Sequence, residues 1–148
     1  MAADGGGGGP LHLLKMAVGV ADLDQLRRNR AERTAERGWS AVYTRNHPRR
    51  EAEVLDGGSL YWVIRGQIRA RQRILAFHTE HDDNGRAYCL IETAPEVVAT
   101  LLRPFRPFQG WRYLRPVDAP PDAQGPGDLG VEAPPEAMLK ELRELGLI

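Results

Sequence analysis

Leu55-Asp56-Gly57-Gly58-Ser59-Leu60-Tyr61-Trp62-Val63-Ile64-Arg65-Gly66-Gln67-Ile68-Arg69-Ala70-Arg71-Gln72-Arg73-Ile74-Leu75 is the stretch on which the fold turns. Asp56-Gly57-Gly58 ends whatever precedes it, because glycine tolerates positive φ and stops a helix. Ser59 to Ile64 is dense in aromatic and β-branched residues, which suit a pleated, half-buried surface. Arg65-Gly66 reads as a tight turn, and Gln67 to Phe77 as the returning strand of a hairpin. A connection this short excludes a parallel crossover. With two turn residues, Ile64 pairs with Gln67 and Trp62 falls opposite Arg69.

Alternation along the second strand places Arg69, Arg71 and Arg73 on one face, roughly 6.8 Å apart, twice the strand rise. That spacing resembles the repeat of an extended phosphate backbone, and Trp62 could supply a stacking surface beside it. The same residues also fit a solvated outer face with Trp62 in the core. Leu75 and Phe77 continue the arginine face with apolar side chains, so a bulge or strong twist is expected near Arg73.

Working outward, Met1 to Pro10 is glycine-rich and reads as a disordered arm. Leu11 to Val18 is a short apolar run fit for a buried strand, interrupted by Lys15. That lysine either snorkels to the strand's end or sits in a site with a shifted pKa. Asp22 to Arg37 has a helix pattern, with Asp22 or Asp24 as cap, Leu23 and Leu26 as its apolar face and Gly38 as its stop. Trp39 to Arg45 reads as a strand, Asn46-His47-Pro48 as a turn and Arg49 to Leu55 as a short helix. Thr44, Arg45, Arg49 and Arg50 gather donors near that helix's start, where unpaired backbone N–H groups can receive an anion.

His78, Glu80, His81, Asp82 and Asp83 crowd before Asn84-Gly85. Asn-Gly between β-like runs marks a hairpin tip, where polar residues collect, and the spacing matches no metal set. Arg86 to Glu92 is the return strand, and Pro95 to Leu102 reads as one or two helical turns. In residues 103–115 four arginines interleave with Phe105, Phe108, Trp111 and Tyr113, with no acidic residue. Bases stack on rings and phosphates meet guanidinium groups, so Trp111, Arg112 and Tyr113 join the nucleic-acid-binding candidates. The competing reading has these aromatics plugging the core. Pro116 to residue 133 is a linker by composition, and residues 134–148 form a last helix docking on a single α+β domain at 11–115.

The chain has 148 residues, enough for one domain with its own core. Its 20 basic and 20 acidic residues cancel, so bulk charge points to no nucleic-acid partner and a local patch must carry one. Only Lys15 and Lys140 are lysines. A GC-rich genome produces the same bias, so the arginine count has no functional weight. The lone Cys89 excludes an internal disulfide and a zinc site built on cysteine pairs. No apolar run approaches the ~18 residues that span a bilayer, and no signal peptide is visible. The expectation is a soluble cytoplasmic protein with no cofactor, no metal and no membrane partner.

Residues 11–20 (LHLLKMAVGV), 55–66 (LDGGSLYWVIRG) and 107–114 (PFQGWRYL) resemble an alphaproteobacterial family classed as a domain of unknown function, numbered 1489. That resemblance carries no established activity. In element order the chain also resembles the PUA-like superfamily, which includes the ASCH and EVE domains. This likeness implies an α+β fold, a small curled β-sheet or open β-barrel with flanking helices, recognising RNA or a modified base in a cleft. Some ASCH relatives are small amidohydrolases that use Lys, Thr and Glu, and Lys15 and Thr44 could stand in such a cleft.

Two functions follow. One is binding of single-stranded RNA or a nucleotide by Arg45, Arg49, Arg50, Arg69, Arg71 and Arg73, with Trp62, Trp111 or Tyr113 stacking. The other is hydrolysis of a small molecule or modified nucleoside, with Lys15 activated by burial and Thr44, Glu53 or Asp56 near it. Gly57-Gly58-Ser59 is not a nucleophile elbow, which needs Gly-x-Ser-x-Gly.

Overall fold

A computed structural model describes residues 9–124. The expected C-terminal helix and most of the expected N-terminal arm lie outside the described residues. Element order is β1 (His12–Met16), α1 (Leu23–Arg37), β2 (Ala41–Thr44), α2 (Glu51–Leu55), β3 (Ser59–Ile64), β4 (Gln67–His81), β5 (Ala87–Thr93), β6 (Val98–Pro104) and β7 (Trp111–Leu114). A 3-10 turn, Pro116–Asp118, follows.

The strands form one open sheet in the order β2-β5-β4-β3-β1-β7, with β6 added to β4. This is the curled α+β sheet with flanking helices, and it is not a closed barrel. The four-residue strands β2 and β7 stand at its two ends and pair inward, with β5 and β1. All pairs are antiparallel except β1 with β3, which run parallel through the connection that contains α1, β2 and α2.

The β3–β4 hairpin closes on Arg65 (φ 50°) and Gly66 (φ 79°). Two positive φ values in succession match the right-handed twist of the flanking strands. Ile64 pairs with Gln67 and Val63 with Ile68. The register then shifts, and Trp62 faces Ala70 rather than Arg69. Arg69 is the extra residue of this bulge, which restores core contact for Trp62 and draws the arginine itself into a buried position. A second irregularity between Ile74 and Ala76 ejects Leu75 to solvent and turns Phe77 back to the core. It lies where the conflict in the alternation demanded one.

The main core lies on the sheet face that receives Leu23 and Leu26 of α1 and Val54 of α2. There Trp62 is 4% exposed. Its indole N–H donates to Gln72 Oε1 at 3.0 Å, and Gln72 Nε2 donates to the Ala94 carbonyl. A buried polar chain of this kind is stable only when each member is bonded. Trp39 and Trp111 are half-buried. A smaller cluster, Leu14, Tyr61, Val63, Ile68 and Leu114, fills the other face beneath Phe105 and Phe108.

Residues 98–104 are a strand, not the expected helical turns. Pairing with Gln67–Arg71 overrides the weak helical pattern, and Val98 and Thr100 are β-formers. Within the stretch expected as a linker, Asp122 bridges to Thr100, and Leu101 N–H donates to the Pro121 carbonyl.

Candidate anion-binding cleft

Lys15 follows Leu13 by two positions on β1, so it shares the core face beside Trp62, its register neighbour on β3. The helix opposite is positioned by its ends: Asp22 Oδ1 accepts from Gln25 N–H at 2.8 Å, and Gly38 closes it. From there the helical period turns Leu26, Asn29, Arg30 and Arg33 toward the sheet. Between helix and sheet lies a cleft of about 280 Å³, lined by these residues with Lys15, Tyr43, Trp62 and aliphatic side chains. Among the described residues no carboxylate lines it.

Arg30 is 7% exposed. Its Nη2 donates to the Ala41 carbonyl at 2.8 Å and lies 3.4 Å from Ser40 Oγ, and its guanidinium stands 5.8 Å from the Trp62 ring centre. Arg30 Nε is buried with no hydrogen-bond partner among the described residues. Burial, then the nearby Arg33 charge, draw the Arg30 pKa down. Burial likewise lowers Lys15, whose ammonium meets no acceptor or acid among the described residues. A buried cation without a counter-charge is costly, so the cleft favours an anion.

Of the residues singled out from the sequence, Lys15 and Trp62 meet here. Thr44 is buried opposite Cys89 and does not line the cleft, nor do Glu53 and Asp56. The hairpin arginines are separated: Arg69 sits in the bulge beside Gln67, and Arg73 is exposed. Arg71 makes paired 2.8 Å bonds to Asp122 and a third bond to Ser59 Oγ. Arg45 donates to the Ala87 carbonyl, and Arg49 is exposed.

Arg50 is held by Glu53 through two 2.7 Å bonds and lies over the Tyr113 ring. Glu51 and Glu53 in the first turn of α2 counter the anion site expected there. Trp111 donates to the Asn46 carbonyl, Tyr113 accepts from Arg50 N–H, and Arg112 lies over Phe108. Trp111 is nonetheless the β7 register neighbour of Lys15.

Asn29, Arg30, Arg33 and Tyr43 escaped the sequence reading. One signal was available: Arg30 falls seven positions after Leu23, on the apolar stripe of an otherwise surface helix.

Among the described residues no group of three or more His, Cys, Asp or Glu side chains could hold a metal. Asp82 instead caps its hairpin turn, accepting from the Asn84 and Arg86 N–H groups, and His78 bonds Glu92. The Cys89 thiol is pushed up to about 11 by burial, which keeps it out of nucleophilic chemistry near neutrality. No helix among the described residues is long and apolar enough to cross a membrane.

A family model described as a protein of unknown function, DUF1489, matches residues 13–148. No curated protein and no solved structure matches the chain.

Proposed function

Because the chain belongs to the DUF1489 family, whose description names no activity, function has to be read from the cleft, and we propose that it binds a nucleotide or single-stranded RNA there. On this reading the protein is a cytoplasmic, PUA-like binding module. One observation carries it: Lys15, Arg30 and Arg33 surround a cavity that no carboxylate among the described residues lines, with Arg30 over the Trp62 ring. Cations bind phosphate, and Tyr43, exposed and lining the cleft, suits a flat ring. The hairpin arginines are secondary, since Asp122 already neutralises Arg71.

The test is a titration of labelled single strands and a nucleoside monophosphate with wild type, Lys15→Ala, Arg33→Ala and Arg69→Ala/Arg71→Ala proteins. Each cleft substitution should weaken binding by roughly tenfold, the loss of one charged hydrogen bond. The hairpin double variant should bind nearly as wild type. No binding at low salt would discard the module.

Lys15 also favours a second reading, a small-molecule or modified-nucleoside hydrolase. Burial holds its amine below the ordinary lysine range, as a base or nucleophile requires. Turnover of a nucleoside, lost in Lys15→Ala with binding retained, would establish it.

A further inference from the structure

Resting on the reading of the cleft as a nucleotide or RNA site, we propose that it selects a terminal phosphate monoester over the internal diesters of a strand. Three observations converge on this.

Charge comes first. Three cations line the cavity and, among the described residues, no acid does. A diester brings one negative charge, whereas a monoester brings about 1.5 to 2 near neutrality and three acceptor oxygens. The monoester is the better counter-charge for three cations gathered in one small space.

Enclosure comes next. Arg30 and Trp62 are both buried, at 7% and 4% exposure, and they stand together. A phosphate must come into the cleft to reach the Arg30 guanidinium, whose Nε has no partner among the described residues. An internal diester would need room for the strand to enter and leave. The cleft's 280 Å³ is at or below the small end of ligand cavities, roughly 300–1,000 Å³, and suits one terminal group with its sugar or base.

The third observation lies outside the cleft. A protein that tracks internal phosphates needs a row of unneutralised cations. The strand that could provide one has Arg69 buried in a bulge and Arg71 engaged by Asp122. The remaining accessible donors at the cleft, Asn29, Arg33 and Tyr43, cluster at one place rather than along a track.

The experiment uses the full chain and tetraribonucleotides of one sequence, carrying a 5′-phosphate, a 3′-phosphate or hydroxyls at both ends, with anisotropy as readout. A nucleoside 5′-monophosphate and inorganic phosphate serve as competitors. One or both phosphorylated strands should bind about tenfold or more tightly than the hydroxyl strand, given the strength of charge-assisted bonds to a dianion. The two phosphorylated strands show which end is taken. The monophosphate should compete better than inorganic phosphate, because the exposed Tyr43 ring at the cleft can meet its base. Arg33→Ala, at an exposed position with little bearing on folding, should bring all three strands to one affinity. Equal binding of all three by the wild type would overturn monoester selection while leaving the cleft as a nucleic-acid site. Binding of none would remove both proposals.

Discussion

Arg30 occupies a position that the spacing of α1 reserves for an apolar side chain, after Leu23 and Leu26. Its bonds to the Ala41 carbonyl and Ser40 hydroxyl offset only part of the cost of burying a charge. Arg30→Met, of similar length and uncharged, should therefore leave the fold unchanged or more stable by about 1–2 kcal/mol, as replacements of buried charge by apolar residues often do. The same variant should lose phosphate binding. Urea denaturation beside a phosphate titration checks both, and a loss above ~3 kcal/mol would make Arg30 a structural cation. His12 is the second residue whose role depends on burial. Its Nδ1 accepts from Ser59 N–H at 3.0 Å, and burial, then the Arg71 charge, lower its pKa to about 4. The unfolded chain, near 6.5, binds more protons between these values, so stability rises with pH in this window. His12 should thus contribute fully above about pH 6.5 and lose up to about 3 kcal/mol as pH falls toward 4. Denaturation at pH 7 and pH 4.5 should show a smaller drop for His12→Asn than for wild type. Neither residue's role was legible beforehand, since Ala41 and Ser59 reach them only through the fold.

Elements were legible where backbone chemistry is local. The Arg65-Gly66 turn, the Asp22 cap, the Gly38 stop and the uniformly buried β3 follow from short-range sterics and periodicity. The strand at 98–104 was misread because its pairing partner lies some thirty positions earlier, on β4. At the entry to β3, Gly58 marks the tightest approach of elements. A Cβ there would lie 2.2 Å from the Leu11 carbonyl oxygen and 2.5 Å from that of Val54. Both are backbone atoms, so Gly58→Ala must push β1 or α2 aside, with a destabilisation of roughly 3 kcal/mol or more expected from severe overpacking. A thermal midpoint within a degree or two of wild type would mean that the two elements separate freely. The Arg71–Asp122 clamp joins the hairpin to the segment beyond β7. Asp122→Asn removes a paired ionic contact that is partly exposed, so a modest loss of about 1 kcal/mol is expected. Amide exchange should then speed up at Leu101 and Ala123, whose N–H groups bond across this junction.

At the scale of the whole molecule, zero net charge conceals an uneven distribution. Residues 42–73 hold seven arginines against three acidic residues, yet the fold neutralises several of these arginines and concentrates charge that is unpaired among the described residues elsewhere, between α1 and β1. Strand binding that engages the three cleft cations should show a slope of log affinity against log salt no steeper than about −2, at roughly 0.7 per neutralised phosphate. A titration across salt concentrations measures it, and a markedly steeper slope would restore the hairpin arginines as phosphate contacts. Composition, alternation and turn chemistry by themselves determined an α+β chain built around the 59–77 hairpin, with a bulge close to Arg73, and left Trp62 open between core and stacking surface. They also marked Lys15 as out of place in an apolar strand. Only tertiary structure decided which cations remain without a counter-charge among the described residues. Turns and caps depend on atoms a few bonds apart, so the residue order specifies them. Whether an arginine is neutralised depends on proximity through space. Arg71 meets Asp122 across 51 positions and Arg30 meets no carboxylate among the described residues, and no local pattern encodes that difference.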